Sequence, residues 1–155
     1  MRFSTKGRYA IRALMDLALF YDRSPVNLHS ISERQDVSAD YLEQILRKLR
    51  DAGLVRSVRG PRGGFQLARH PREITAWDVI CALGETAAPA PCVKQVKKPA
   101  KNCERAPHCA ARLMWEKLAK EIEAFLKKRT LQQLCDDARD MCCQASPEHK
   151  HMFHI

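Results

Sequence analysis

Nowhere in the 155 residues do roughly 18 uncharged apolar residues run together, the length a membrane-spanning helix needs. The opening Met1-Arg2-Phe3-Ser4-Thr5 holds no apolar signal core and leads directly into an amphipathic pattern with charges inside it. A cytoplasmic protein with no membrane partner is therefore expected. The chain also lacks a phosphate-cradling glycine loop, a paired acid–base constellation and a cleft signature around a nucleophile, so it is not expected to be an enzyme. No internal repeat is present, which sets solenoids aside. Negative charge is short as well: 18 Asp and Glu face 27 Lys and Arg, for a net charge of +9. A soluble chain this basic points to a polyanion, most often nucleic acid. The excess is concentrated early, with fourteen Lys/Arg against seven Asp/Glu in residues 1–72.

The length and an apolar content of 45% are enough for one core with additional elements. Ser4 or Thr5 can cap a first helix, in which Ala10, Ala13, Leu14, Leu17, Ala18 and Tyr21 recur at helical spacing until Asp22-Arg23-Ser24-Pro25 ends it. Asn27 can cap a second helix through Gln35. After the tight Asp36-Val37-Ser38 connection, a third helix from Ala39 carries the inner stripe Leu42, Ile45, Leu46 and Leu49 and stops at Gly53. Leu54 to Val58 and Phe65 to Ala68 read as strands. The Arg59-Gly60-Pro61-Arg62-Gly63-Gly64 between them forces a turn with two arginines on it. Short helices followed by a basic-tipped hairpin spell a winged helix-turn-helix, in a chain that is otherwise mostly α.

Thr75 with Asp78 can form a capping box for a fourth helix with Trp77, Ile80 and Cys81 on its apolar face. A long helix resumes at Ala110, striped with Trp115, Leu118, Ala119, Ile122, Phe125 and Leu126. That stripe is too wide for the small remaining core, and a two-fold partner would cover it. Thr130 with Gln133 opens a last helix with Leu131, Leu134 and Ala138 inward. The expected division is a DNA-binding unit at 1–84, a cysteine-bearing sensor loop at 85–109, dimerisation helices at 110–145 and a flexible tail at 146–155.

A helix that enters the major groove offers hydrogen-bonding side chains near its N-terminus. Ser38, Tyr41, Glu43, Gln44 and Arg47, with Asp40, form such a set. Glu accepts from cytosine N4, and Gln pairs with adenine. Arg59 and Arg62 on the wing can follow a phosphate backbone or enter a narrow minor groove.

Several stretches of the chain look familiar: Met1 to Ala10, Ile31-Ser32-Glu33-Arg34-Gln35, Tyr41 to Arg50 and Gly53-Leu54-Val55. With Ser57-Val58-Arg59-Gly60-Pro61 and Gly63-Gly64-Phe65, they resemble the IscR-type winged-helix regulators, the family that includes NsrR and RirA. The resemblance covers about residues 1–135. It implies a homodimer built on a long crossed helix that binds double-stranded palindromic or semi-palindromic operators. Glu43 and Gln44 would read bases, and Arg59 would insert at the wing.

Seven cysteines in a cytoplasmic chain suit metal or redox chemistry better than a disulfide framework. Cys92, Cys103 and Cys109, spaced C-x10-C-x5-C, lie in one basic, proline-bearing segment. Thiolates there suit an iron–sulfur cluster, zinc or copper(I). Lys94, Lys97, Lys98, Lys101 and Arg105 favour the thiolate form. By the resemblance these three cysteines are the ligands of an iron–sulfur cluster (2Fe-2S or 4Fe-4S). The alternative is a regulator without a cluster, with structural zinc in the loop or control by a partner protein.

The chain departs from its relatives in a longer first gap and in the fourth ligand. Arg112 stands where IscR-like relatives have a histidine. Lys6, Gly7 and Arg8 stand where NsrR-like relatives offer an aspartate from the partner chain. Among the other thiols, Cys81 and Cys135 are expected to be buried and structural, and Cys142 and Cys143 to be surface thiols. His149, His151 and His154 resemble a weak metal-binding tract in a tail expected to have no role.

Overall fold

The computed structural model describes residues 4–93 and 108–144, the side chains of 142–144 excepted. The first helix, α1 (Thr5–Leu19), starts where expected, with the Ser4 hydroxyl accepting from the Gly7 N–H at 3.3 Å. It ends earlier than its apolar spacing suggests. Beyond Leu19 the backbone tightens: the Tyr21 N–H donates to the Ala18 carbonyl at 3.3 Å and the Arg23 N–H to that of Phe20 at 2.9 Å. Tyr21 thus joins the core from a turn ahead of Pro25, not from a helix face.

Helix α2 (Leu28–Gln35) is capped by Asn27, whose side chain accepts from the His29 N–H at 2.8 Å. Asp36, left-handed at φ 50°, turns the chain into α3 (Ala39–Asp51). Gly53 at φ 71° closes α3: its N–H bonds the Arg50 carbonyl and the Leu54 N–H bonds that of Leu49, both at 2.9 Å. This is the paired C-terminal bonding that a left-handed glycine permits. All four apolar residues of the predicted α3 stripe are buried, and Leu46 and Leu49 are wholly enclosed. Truncating either to Ala would cost about 2–5 kcal/mol.

Strand β1 (Val55–Val58) pairs antiparallel with β2 (Gly64–Leu67), with Val55 opposite Leu67 and Val58 opposite Gly64. The hairpin is tied to the helices by a bridge in which Val26 and Phe65 exchange N–H···O bonds of 2.9 and 2.8 Å. A Cβ on Gly64 would lie 2.2 Å from the Val26 carbonyl oxygen, and one on Gly63 would lie 2.3 Å from that of Val58. Gly64 lets the wing dock on the body, and Gly63 lets the wing's own turn close.

Helix α4 (Ala76–Ala82) shows the complete Thr75–Asp78 capping box. Its inward face is Ala76, Val79 and Ile80. Cys81, expected to be buried, is exposed: it lies one residue past Ile80, on the side of a seven-residue helix turned from the core. A short 3-10 turn at Pro91–Val93 follows, then α5 (Ala110–Lys127) and α6 (Leu131–Gln144). Thr130 and Gln133 exchange bonds at the start of α6. A backbone bridge between Thr75 and Thr130 pins the starts of α4 and α6 together. Helix α6 then lies on α1, burying Leu131 and Cys135 in the same core as Leu14 and Ile31. Among the described residues no helix is long and apolar enough to cross a membrane.

Candidate nucleic-acid interface and cysteine loop

Because α3 buries one stripe, its other face is presented as a unit. Ser38, Glu43, Gln44 and Arg47 are exposed, and Tyr41 is half-buried. Ser38 stands at the N-cap position of α3, yet its hydroxyl makes no capping bond. Among the described residues the hydroxyl has no hydrogen-bond partner, and it stands beside the N–H groups of the first turn, an arrangement suited to a phosphate oxygen. Tyr41 is held by Tyr9 of α1, edge to face, with ring centroids 6.1 Å apart. The Arg12 guanidinium lies over the other ring of that pair, 5.6 Å from the Tyr9 centroid. Arg47 is drawn toward Glu43 at 3.4 Å, an exposed pair that a base or phosphate could replace at little cost. Across the wing tip, Arg59 and Arg62 are exposed on either side of Gly60, whose φ of 117° shapes the turn.

The cysteine-bearing segment begins against the same body. The Glu85 carboxylate accepts from both the backbone N–H and the hydroxyl of Ser4, so the first residue after Gly84 is fastened to the start of α1. Nothing in the sequence signalled this contact, which spans 81 positions. Cys92 lies half-buried in the 3-10 turn, and that turn packs on α5. Cys109 is the N-cap of α5, with no capping bond from its sulfur. It stands at the positive end of an 18-residue helix, where an anionic ligand set is well placed. Cys103 lies outside the described residues, as do the loop lysines and the tail histidines. Among the described residues no cluster of three or more His, Cys, Asp or Glu is assembled for a metal ion. Arg112 is engaged with Glu116 at 2.8 Å.

Of the other thiols, the side chains of Cys142 and Cys143 lie outside the described residues. Cys135 is 4% exposed and its Sγ donates to the Met15 carbonyl at 3.8 Å; burial pushes its pKa up. Cys81 is also raised, first by partial desolvation of the thiol and then by the Asp78 and Glu123 carboxylates. Neither suits a ready nucleophile or ligand.

The sequence profile of a family described as "Rrf2: Iron-dependent Transcriptional regulator" matches residues 3–137. The chain belongs to the Rrf2 family. Its Rrf2 relatives include the HTH-type transcriptional regulator IscR of Vibrio atlanticus, 41% identical over 137 residues, which cover 88% of this chain and 76% of that protein. IscR of Vibrio vulnificus is 42% identical, with 88% and 79% covered. Among solved structures, IscR of T. potens superposes with a TM-score of 0.73 at 38% identity, covering 94% of this chain and 93% of that one. CymR, the global cysteine regulator of B. subtilis, superposes with a TM-score of 0.72 at 33% identity, covering 88% and 98%. The chain is thus a transcriptional regulator of the Rrf2 family with a winged helix-turn-helix, and not an enzyme. Tyr9 was missed as a support for Tyr41 because its spacing reads as one more residue of an amphipathic helix.

Proposed function

We propose that this Rrf2 regulator binds operator DNA as a homodimer and that an iron–sulfur cluster on Cys92, Cys103 and Cys109 sets its affinity. Ser38, Tyr41, Glu43, Gln44 and Arg47 face the major groove, and Arg59 and Arg62 follow the backbone or minor groove from the wing. The observation that carries the cluster is the placement of Cys109, a soft donor with no capping bond at the positive end of α5, with the Cys92 turn packed on the same helix. Bound there, a cluster would supply a redox-active, ligand-exchanging centre. The protein contributes the thiolates and a basic loop that offsets their charge. Arg112, ion-paired to Glu116, is no ligand, so the fourth position falls to another group.

The homodimer rests on α5, which buries no residue within the protomer. Leu113, Met114, Leu118 and Phe125 stand 60%, 52%, 41% and 58% exposed. A second copy crossing this face would bury them and place two reading helices for a palindromic or semi-palindromic site. Within residues 110–145, α5 supplies the seam and α6 anchors it to the body through α1. Residues 1–84 bind DNA, residues 85–109 sense, and the protein works in the cytoplasm.

The deciding experiment is purification without oxygen followed by assays of iron, acid-labile sulfide and zinc. Iron and sulfide in comparable amounts are expected, and Cys103→Ser should lose both while remaining dimeric. A colourless protein with one zinc per chain and no sulfide, even after anaerobic reconstitution, would replace the cluster with structural zinc.

A further inference from the structure

A cavity of about 210 Å³ opens between α1, α2 and α6. Its floor is apolar: Met15, Leu19 and Phe20 from the α1 side, and Cys135 and Ala138 from α6. The rim carries two guanidinium groups, Arg12 and Arg34, with Asp16 and Gln35. Arg34 meets Asp16 through Nε alone, at 3.0 and 3.2 Å, and its plane rests 5.5 Å from the Phe20 ring centroid. Its two Nη groups make no hydrogen bond among the described residues. Arg12 uses Nε and Nη2 on Gln35, at 2.9 and 3.2 Å, which leaves Nη1. Two cations against one carboxylate leave the rim positive, with planar N–H donors unspent.

We propose that this cavity is a binding site for a small carboxylate with an apolar body, and that its occupancy alters DNA binding. Guanidinium donors match a carboxylate in geometry and charge, and the floor would take a short alkyl or aryl group. The volume is below the roughly 300 Å³ at which drug-sized clefts begin, so the ligand is small. The link to DNA is positional. Arg34 and Gln35 are the last two residues of α2 and stand directly before the left-handed Asp36 that sets α3. A carboxylate that shares Arg34 competes with the buried Asp16, 3% exposed at its side chain, for the tie holding α2 to α1. This input is separate from the cysteine loop.

The test uses the full chain, both wild type and Cys103→Ser, so that the result does not depend on a cluster. Hexanoate and benzoate are titrated by calorimetry and thermal melting, with hexanol and benzyl alcohol as neutral controls. The carboxylates should bind saturably and raise Tm, and the alcohols should not. Arg12→Gln should weaken binding about tenfold or more by removing a charged donor. Ala138→Phe should abolish it by filling the floor, and the milder Ala138→Leu serves if the larger residue disturbs folding. Saturating benzoate should shift the affinity for a DNA fragment selected by the protein from random sequence. No saturable binding, an equal response to the alcohols, or full binding by the filled variants would overturn the site. A filled variant that becomes monomeric would assign the cavity to a side chain of the partner subunit and equally overturn it. Binding without any change in DNA affinity would overturn the regulatory link.

Discussion

Gly64 shows how a single missing Cβ governs the interface. The wing is useful only if held at a fixed angle to α3, and what holds it is the backbone bridge between Phe65 and Val26. That bridge requires the chain to pass where a Cβ would stand 2.2 Å from a carbonyl oxygen that cannot swing aside. Gly64→Ala should therefore cost about 1–3 kcal/mol, read as a lower urea midpoint, and should weaken DNA binding further than the stability loss alone explains. Unchanged stability would mean that the hairpin hinges freely on the body. Cys135 makes a second residue-scale case, through pH. Burial raises its pKa in the folded chain above its unfolded value, so the folded state holds the proton more tightly. Its stabilising contribution is then fully present below about pH 8.5, the ordinary thiol value, and is lost as pH rises through the folded pKa. Alkaline melting curves should show that loss, and Cys135→Val, which does not titrate, should remove this part of it.

Helices with a strong internal pattern were legible in the sequence, and those whose fate depends on a distant partner were less so. The start of α3, its four-residue stripe and its Gly53 stop could all be read locally, because the tight connection before it, the period and the left-handed terminator are close together in the chain, even though Ser38 makes no capping bond. The capping boxes at Thr75 and Thr130 were legible for the same reason. The outward turn of Cys81 was not, since α4 has only seven residues and its inner face is set by α1 and α3 packing on it. The Glu85–Ser4 contact and the rim of the α1–α2–α6 cavity join positions far apart in the chain, and no periodicity carries them. Helix α5 sits between these extremes: its stripe was plain, but only part of it is covered by the protomer, and Leu118 and Phe125 stay exposed for the proposed second copy. Leu118, 41% exposed, can accept a charge without disturbing the core of one copy. Leu118→Asp should therefore keep its helical circular dichroism yet sediment as a monomer. A dimer that persists would place the seam elsewhere.

At the scale of the whole molecule, the net charge of +9 and the proposed two-fold arrangement should act together on DNA. Phosphate contacts release counterions, so the logarithm of affinity falls with the logarithm of salt at a slope of about −0.9 per contact. The slope counts contacts per complex and not per chain. Arg62 is exposed at the wing tip, where it would meet the backbone. If it makes one phosphate contact per protomer in a dimeric complex, Arg62→Ala should reduce the slope by about 1.8, twice the per-contact value, and weaken specific and random DNA alike. A reduction of only about 0.9 would mean that one wing engages at a time. Arg59→Ala should behave differently if it enters a groove: roughly 1–3 kcal/mol should be lost on selected DNA, with much less lost on random DNA. Equal losses on both would move Arg59 to the backbone and leave base reading to Glu43 and Gln44. Titrating the two variants against both DNAs over a range of salt separates a wing that positions the protein from a wing that reads the sequence. The same titration counts the wings bound per complex, whatever the operator sequence.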